Sequence, residues 1–246
     1  MSIQTEHINY FHNDTELTAY VAWDDNIDSA IDREKPAVLI CHDAMGGKTA
    51  FEHGRAEAIA KLGYVGVAID AYGKDSRARN AEEAYALMGP LTEDRRVLRE
   101  RLACGVALAC AHQRVDATQL AVMGYCFGGL CALEMARSGA DLKGAISFHG
   151  LLSQAEDVAS ETILAKLLVL HGWSDPLVPQ EQVLAFAEEM NSQGVDWQLV
   201  GYGHGLHGFS NPLANDPANG IGYDADIDRR SWLALTHFLA ELFIKN

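Results

Sequence analysis

The chain has no hydrophobic run long enough to cross a bilayer, which takes roughly 20 consecutive apolar residues. The longest apolar stretch, 103–111, is short and is interrupted by Gly105. The first six residues also lack the basic and apolar segments that make up a secretion signal. We therefore expect a cytoplasmic protein that does not associate with membranes.

Positive charge is scarce as well. The sequence has 19 Lys and Arg residues against 34 Asp and Glu residues, which gives a formal net charge of −15 at pH 7. Such an excess disfavours nucleic acids and anionic membranes, because both are themselves negatively charged. A small-molecule partner stays open, since the field inside one pocket can oppose the net charge.

Cysteines are few, and none is placed as a metal ligand or as a member of a disulfide framework. There are five of them, an odd number, in apolar surroundings and without CxxC or zinc-site spacing. This usage is typical of a reducing compartment, and we expect no metal and no organic cofactor. Away from Cys126, each cysteine is interpreted as a small buried hydrophobe, namely Cys41, Cys104, Cys110 and Cys131.

Strand-like and helix-like segments alternate along the chain without repeats or linkers, which predicts an α/β fold with a mostly parallel central sheet flanked by helices. We expect one domain over residues 1–246. Strands are predicted at 3–10 and 17–23 as an antiparallel hairpin, and then at 37–41, 64–69, 120–123, 145–148, 167–170 and 196–200. Helices are predicted at 50–61, 92–111, 127–137, 181–191 and 226–243, and irregular structure at 73–90 and 211–222.

The helix at 92–111 has the clearest pattern. Apolar side chains recur every four residues, and Thr92 is predicted as the N-cap of an acidic first turn. The recurring residues are Leu98, Leu102, Val106 and Cys110.

Residues 124–128 read Gly-Tyr-Cys-Phe-Gly directly after an apolar run. This is the nucleophile-elbow pattern, in which a strained turn between a strand and a helix presents its central residue above the sheet. The glycines let neighbouring backbone approach closely, and the helix N-terminus favours a thiolate and later an oxyanion. The pattern predicts Cys126 as a nucleophile.

Elbow hydrolases supply an acid and then a histidine later in the chain. Asp175, which follows a strand in the segment His-Gly-Trp-Ser-Asp, is the predicted orienting acid. Two histidines, His204 and His207, lie in the next glycine-rich segment, and either can serve as the base on this argument alone.

The loop after the 37–41 strand is predicted to complete an oxyanion hole. The backbone N–H of Phe127 is one expected donor, and the N–H of Ala44 is the other. Asp43 is predicted to contact the thiol or to fix this loop, and an ordinary turn role is an equal alternative.

Three strings together resemble the dienelactone hydrolase family: Gly-Tyr-Cys-Phe-Gly-Gly at 124–129, His-Gly-x-x-Asp-x-x-Val-Pro at 171–179, and His-Gly-Phe at 207–209. The resemblance implies a compact α/β-hydrolase fold and a triad of Cys126, His207 and Asp175. It also implies that Asp43 stands where the family has an acidic residue, commonly glutamate, against the resting thiol.

The resemblance bears on the substrate as well. Dienelactone-specific members grip the substrate carboxylate with arginines, one of them four residues after the triad histidine, where this chain has Asn211. Arg77 or Arg79 can replace that function, but both are interpreted as solvated surface charges. A dienelactone of the carboxymethylenebutenolidase type is therefore a less favoured substrate.

We expect a hydrolase that cleaves a small ester or lactone through a cysteine thioester, as a monomer or homodimer. The alternative from another class is a thiol-based redox sensor or non-catalytic protein on the same fold, with Cys126 as an oxidisable thiol. A third possibility is dehalogenation or thioester cleavage by the same triad.

Overall fold

The computed structural model describes residues 2–25, 34–47 and 49–244. Eight strands form one mostly parallel sheet in the order β1-β2-β4-β3-β5-β6-β7-β8, flanked by helices. The α/β prediction is thereby confirmed, while the prediction of one domain over all 246 residues stays a prediction. The chain divides into two compact units, Met1–Val122 and Met123–Asn246, which are described in turn.

The first unit begins with a hairpin and continues as a parallel α/β arrangement. β1 and β2 pair antiparallel as predicted, β2 pairs antiparallel with β4, and β3 pairs parallel with β4. Its elements are β1 (Ile3–His12), β2 (Thr15–Asp24), β3 (Lys35–Cys41), α1 (Ala50–Lys61), β4 (Val65–Ile69), α2 (Ala81–Glu93), α3 (Arg95–Ala111) and the greater part of β5 (Val115–Tyr125).

The segment predicted as irregular at 73–90 contains most of α2, so that prediction was wrong for its second half. Asn80 caps the helix by accepting a hydrogen bond from the Glu83 N–H at 2.9 Å. Pro90 lies in the last turn of α2, so that its missing N–H removes one hydrogen bond near the end of the helix rather than in its middle.

The predicted start of the next helix was also wrong. Thr92 lies in α2 and donates to the Gly89 carbonyl at 2.9 Å, while Asp94 is the N-cap of α3 and accepts from the Val97 N–H. Two helices therefore meet where the sequence pattern suggested one long one.

The four-residue recurrence on α3 misplaced Cys110, which is exposed rather than buried. An α-helix has 3.6 residues per turn, so positions four apart rotate steadily off the buried face. The buried positions alternate between spacings of three and four residues, and they are Arg95, Leu98, Leu102, Gly105 and Ala109. Cys104 is half-buried, and Cys41 and Cys131 are buried as predicted.

The second unit contains the end of β5 and the strands β6 (Gly144–Phe148), β7 (Lys166–Gly172) and β8 (Trp197–Tyr202), of which β6 and β7 as well as β7 and β8 pair parallel. Its helices are α4 (Phe127–Arg137), α5 (Gln180–Ser192) and α6 (Ala225–Leu242). The stretch predicted as irregular holds only a two-residue hairpin of β9 (Asn215–Asp216) and β10 (Ile221–Gly222), with a short 3₁₀ helix between them.

Every residue of α4 is buried. Its charged residues belong to a buried ion cluster at the end of the helix. Arg137 donates from Nε and Nη2 to the two carboxylate oxygens of Glu189, at 2.9 and 2.6 Å, and from Nη1 to Glu134 at 3.1 Å. It also donates to the Leu152 and Ser153 carbonyls. The cluster therefore joins α4, α5 and the segment after β6.

Within the described ranges, no helix combines the length and apolar character needed to span a bilayer, and no group of three or more His, Cys, Asp or Glu side chains is arranged to hold a metal ion.

The ion cluster gives a test of stability. Arg137→Leu leaves Glu134 and Glu189 buried without their cation, so we expect a loss of about 3–5 kcal/mol in the free energy of unfolding. Urea denaturation measures it. The control is Arg79→Leu, since Arg79 pairs with Glu83 on the surface with its side chain 85% exposed, and we expect little change. Equal losses in the two variants would contradict this account.

Candidate active site

Cys126 stands between β5 and α4 in a backbone conformation that side chains rarely adopt, with φ 55° and ψ −117°. Such a conformation costs of order 1–3 kcal/mol and persists only where the surroundings enforce it. Here the Cys126 N–H donates to the Phe148 carbonyl at 3.0 Å, and the Cys126 carbonyl accepts from the Gly129 N–H at 2.9 Å. The residue therefore has the strained geometry of a nucleophile elbow.

The glycines around Cys126 are required by close backbone approach. A Cβ on Gly124 would collide with the Gly128 carbonyl, and a Cβ on Gly129 would come within 2.7 Å of the Gly150 Cα. Any side chain at either position would push the strand away from the helix. Gly124 thus has the physical role that the elbow pattern predicts, and Gly129, one residue beyond the pentapeptide, allows a second close approach.

Asp175 lies on the loop between β7 and α5, and the backbone holds its carboxylate in place. Its N–H donates to the Gly172 carbonyl at 3.0 Å, and its Oδ1 accepts from the Leu177 N–H at 2.8 Å. The residue is 4% exposed. Its second carboxylate oxygen, Oδ2, is directed at His207.

His207 is held on the loop after β8 by backbone bonds on both sides. Its N–H donates to the Gly220 carbonyl and its carbonyl accepts from the Gly222 N–H, each at 2.9 Å. The ring is buried, and Nδ1 lies 2.8 Å from Asp175 Oδ2. A carboxylate only accepts, so Nδ1 carries a proton and Nε2 is the nitrogen able to exchange one with a substrate or a thiol.

The charge of Cys126 acts on this ring. Burial by itself lowers the pKa of His207, but the negative charge of ionised Cys126, the hydrogen bonds to Asp175 and Cys126, and the charge of Asp175 together raise that pKa to about 10. Within the described residues Nε2 has no partner in good hydrogen-bond geometry, so its bond to Cys126 is loosely aligned. Catalytic hydrogen bonds often align only when substrate binds.

The other candidate base lies elsewhere. The His204 side chain is 72% exposed, and its Nε2 lies 3.2 Å from Asp224 Oδ2. Of the two histidines that the residue pattern left open, His207 is therefore the one placed beside Asp175.

Two further histidines adjoin the Asp175–His207 pair, and sequence reasoning missed both. The ring of His149 meets the ring of His207 edge-on, with centroids 5.2 Å apart. Burial lowers the pKa of His171, Asp175 raises it and His207 lowers it, so that the net direction is down. His149 follows β6 and His171 lies at the end of β7, in both cases at the carboxyl end of a parallel strand. Functional groups of open α/β sheets collect there, so this position is the sequence signal that could have identified both histidines.

In the first unit, a fixed network orients the loop that carries Asp43 and Ala44. The Ala71 N–H donates to His42 Nε2 at 3.0 Å, so the ring proton is on Nδ1, which donates to the Asp43 carbonyl at 2.7 Å. Asp43 Oδ1 accepts from the Met45 N–H at 2.8 Å, a bond that agrees both with fixing the loop and with an ordinary turn role. Contact with the thiol, and the role of the Ala44 N–H, stay predictions.

The candidate carboxylate-binding residues are placed as surface or turn residues. Arg77 and Arg79 are exposed, and Arg79 pairs with Glu83 at 2.6 Å. Asn211 Oδ1 accepts from the Leu213 N–H at 2.9 Å and so shapes a local turn. These placements agree with the interpretation of both arginines as surface charges.

Comparison with known proteins supports the fold interpretation. A model of the dienelactone hydrolase family matches residues 17–243. A crystal structure of a dienelactone hydrolase-like promiscuous phosphotriesterase from metagenomic libraries superposes with a TM-score of 0.91 and 31% identity, covering 99% of this chain and 100% of the other.

Two curated relatives are similar over most of their lengths. An uncharacterized protein of Caenorhabditis elegans is 36% identical over 62% of this chain and 99% of its own. A protein of Bradyrhizobium sp., named as a probable 2-oxo-3-(5-oxofuran-2-ylidene)propanoate lactonase, is 29% identical over 70% of this chain and 73% of its own.

The raised pKa of His207 predicts a pH-dependent contribution to stability. Because the folded chain binds this proton more tightly than the ordinary value of 6.5 implies, the contribution is full below about pH 6.5 and is lost as the pH rises towards about 10. We expect the difference in unfolding free energy between the wild type and His207→Asn to shrink over that range in urea titrations. A difference that stays constant with pH would contradict the raised pKa.

Proposed function

The chain belongs to the dienelactone hydrolase family, and with it to the hydrolases of esters and lactones, and on that premise we propose that it cleaves a small carboxylic ester or lactone through a thioester on Cys126. The observation that carries the proposal is the buried 2.8 Å hydrogen bond between His207 Nδ1 and Asp175 Oδ2. The pKa of the same His207 ring is raised by the charge of Cys126. A base oriented by an acid and coupled to a strained thiol is the arrangement that nucleophilic catalysis needs.

In the first half-reaction the Cys126 thiolate attacks the substrate carbonyl carbon and forms the C–S bond, and the electron pair of the carbonyl moves onto oxygen. When the tetrahedral intermediate collapses, the bond to the leaving alkoxide breaks and His207 Nε2 gives that oxygen its proton. Asp175 keeps the ring in the required tautomer and stabilises its charged form before the transfer. With a lactone, the released hydroxyl stays on the acyl chain.

The oxyanion is assigned to the backbone N–H groups of Ala44 and Phe127. Phe127 is the first residue of α4, and the first amides of a helix have no acceptor within it. For Ala44, the support is the orientation of its peptide: the Asp43 carbonyl points to His42, so in a trans peptide the Ala44 N–H points the opposite way. Preorganised donors of this kind each contribute about 100- to 1000-fold in rate.

In the second half-reaction His207, now neutral, removes a proton from water as the water attacks the thioester. The second tetrahedral intermediate expels the Cys126 thiolate and leaves the carboxylic acid, so that the net reaction consumes one water. Thiolate leaves more readily than an alkoxide or an amine. A thiol nucleophile therefore suits activated esters and strained lactones better than peptides.

A second candidate activity is the hydrolysis of activated phosphotriesters, because the phosphotriesterase with the 0.91 TM-score matches this chain along its whole length. In that reaction the thiolate attacks phosphorus, the aryloxide leaves, and water releases the phosphodiester from sulfur. Hydrolysis of paraoxon, assayed beside ester and lactone substrates, tests this second activity.

Cys126→Ala is the decisive substitution. We expect hydrolysis of p-nitrophenyl acetate and of a small lactone panel to fall by about a thousandfold or more, because the nucleophile is removed. Circular dichroism should show an unchanged fold. The matched control is Cys110→Ala, which removes an exposed thiol on α3 and should keep wild-type rates. Wild-type activity in Cys126→Ala would overturn the assignment, and esterase inactivity with sulfenic acid forming at Cys126 would favour the redox-sensor alternative.

The two histidines can be separated by the same assay. His207→Ala removes the ring beside Asp175 and should lower kcat by about a thousandfold. His204→Ala removes an exposed ring and should leave kcat within about twofold, since surface changes away from such features have small effects. An inactive His204→Ala beside an active His207→Ala would show that the base is assigned to the wrong histidine.

A further inference from the structure

The junction between β6 and the segment after it is tied to the elbow on one side and to β7 on the other. The Phe148 carbonyl accepts from the Cys126 N–H at 3.0 Å, and the next N–H, that of His149, donates to the Leu170 carbonyl at 2.8 Å. Gly150 then lies so close to the first turn of α4 that a Cβ on it would come within 2.7 Å of the Gly129 Cα. The backbone of His149 is therefore fixed relative to the nucleophile.

His149 has a strained backbone, with φ 39°. Within the described ranges three non-glycine residues have a positive φ, and Cys126 is another of them. A non-glycine residue is uncommon in this region, although histidine adopts it more often than most, and residues held there concentrate at active sites. The strain has a visible consequence here, because it directs the His149 ring towards the loop that carries His207.

The side chain of His149 contacts that loop both through a hydrogen bond and through its ring. Its Nε2 lies 2.8 Å from the Ser210 hydroxyl oxygen, and both residues are fully or almost fully buried. Its ring meets Phe209 edge-on at 4.9 Å and 84°, in addition to its contact with His207 at 5.2 Å and 65°. One side chain thus contacts three of the four residues from 207 to 210.

We propose that His149, through its bond to Ser210 and its edge-on contact with the ring of His207, is a positioning residue that fixes the catalytic base relative to Cys126. The proposal rests on the proposed hydrolase function. The need for such a residue lies in the ring rather than in the main chain, because the bonds of the His207 backbone to Gly220 and Gly222 leave the side-chain torsions free. Asp175 holds only Nδ1, and a single hydrogen bond leaves the ring free to tilt about it.

Phe148 and His149 together therefore connect the two reacting groups through adjacent residues. The carbonyl of the first sets the elbow, and the side chain of the second sets the base. A misplacement of about 1 Å between nucleophile and base can cost on the order of a hundredfold in rate. Alignment of this accuracy is favoured when both groups are held by the same rigid segment of backbone.

The test uses Ser210→Ala, His149→Asn and the double variant in the full chain. Ser210→Ala deletes only the hydroxyl, and asparagine tolerates the positive φ of position 149 while removing the ring. The readouts are kcat and KM for p-nitrophenyl acetate, and the rate at which iodoacetamide alkylates Cys126 at pH 7, followed by mass spectrometry of its peptide. Exposed Cys110 in the same sample is the internal reference for alkylation.

We expect each single variant to lower kcat by roughly tenfold with KM nearly unchanged, and to slow the alkylation of Cys126 but not of Cys110. The thiolate is the species that reacts, and it is favoured by a charged His207 ring held close to it. Because both side chains act through one bond, the double variant should be no slower than the slower single variant.

A control separates positioning from loss of stability. Phe186→Leu alters a buried ring on α5 that packs edge-on against Trp197 in the same unit, and should lower the unfolding temperature without changing kcat or Cys126 alkylation. If Ser210→Ala and His149→Asn behave like Phe186→Leu, the proposal is overturned. It is also overturned if their effects on kcat add fully in the double variant.

The alkylation readout needs no substrate, so it distinguishes this proposal from the proposed function. If the wild type and Cys126→Ala hydrolyse the panel equally, the hydrolase mechanism fails. Unchanged alkylation and unchanged kcat in Ser210→Ala and His149→Asn, with hydrolysis still dependent on Cys126, would instead reject only the role of His149.

Discussion

The buried hydrogen bond between Asp175 and His207 is the interaction on which the rest of the site depends. A carboxylate at 4% exposure is costly unless its oxygens are paired, and here one oxygen takes a backbone N–H and the other takes the imidazole. The bond requires two loops to meet backbone to backbone. A Cβ on Gly172 would lie 2.6 Å from the Gly205 carbonyl oxygen, so the glycine sets how closely these loops approach. A charge-assisted bond of this kind contributes about 1.5–3 kcal/mol, and here it also fixes the tautomer of the base.

The proposed nucleophile is fixed by a different means, through strain in the backbone rather than through a charged bond. Cys126 is held at a positive φ by hydrogen bonds to Phe148 and Gly129, and by glycines that allow the strand and helix to touch. A thiol at this place gains from the helix N-terminus and from the charged ring of His207, whose own pKa rises in return. The two effects are reciprocal, since each charge of the pair stabilises the other. The site is thereby prepared for attack before any substrate group takes part.

Local signals predicted the parts of the fold and of the site that short segments determine. The predicted bounds of α1 and α4 both agree with the structure; those of α4 follow from the elbow pattern, and the structure adds a capping box of Thr49 and Glu52 at the start of α1. The start of α3 was misplaced because Thr92 and the acidic pair after it resemble an N-cap and a first turn, whereas Asp94 is itself the N-cap and Thr92 lies in α2. The choice between His204 and His207 depends on where loops distant in sequence meet, so the residues left it open and only the family resemblance decided it. His149 belongs to no motif, and its role depends on the Ser210 contact, 61 residues away.

For the proposed hydrolase, the charges of this chain favour an uncharged acyl substrate over the carboxylate-bearing dienelactones. A guanidinium binds a carboxylate through two parallel hydrogen bonds, and an amide at the same position cannot replace it. Asn211 already uses its side-chain oxygen to accept from the Leu213 N–H, and Arg79 is paired with Glu83 at the surface. The net charge of −15 adds a long-range repulsion for anions. Neutral esters and lactones meet neither obstacle. The proposed thiolate–imidazolium pair can react with them although they carry no anionic group for the protein to bind.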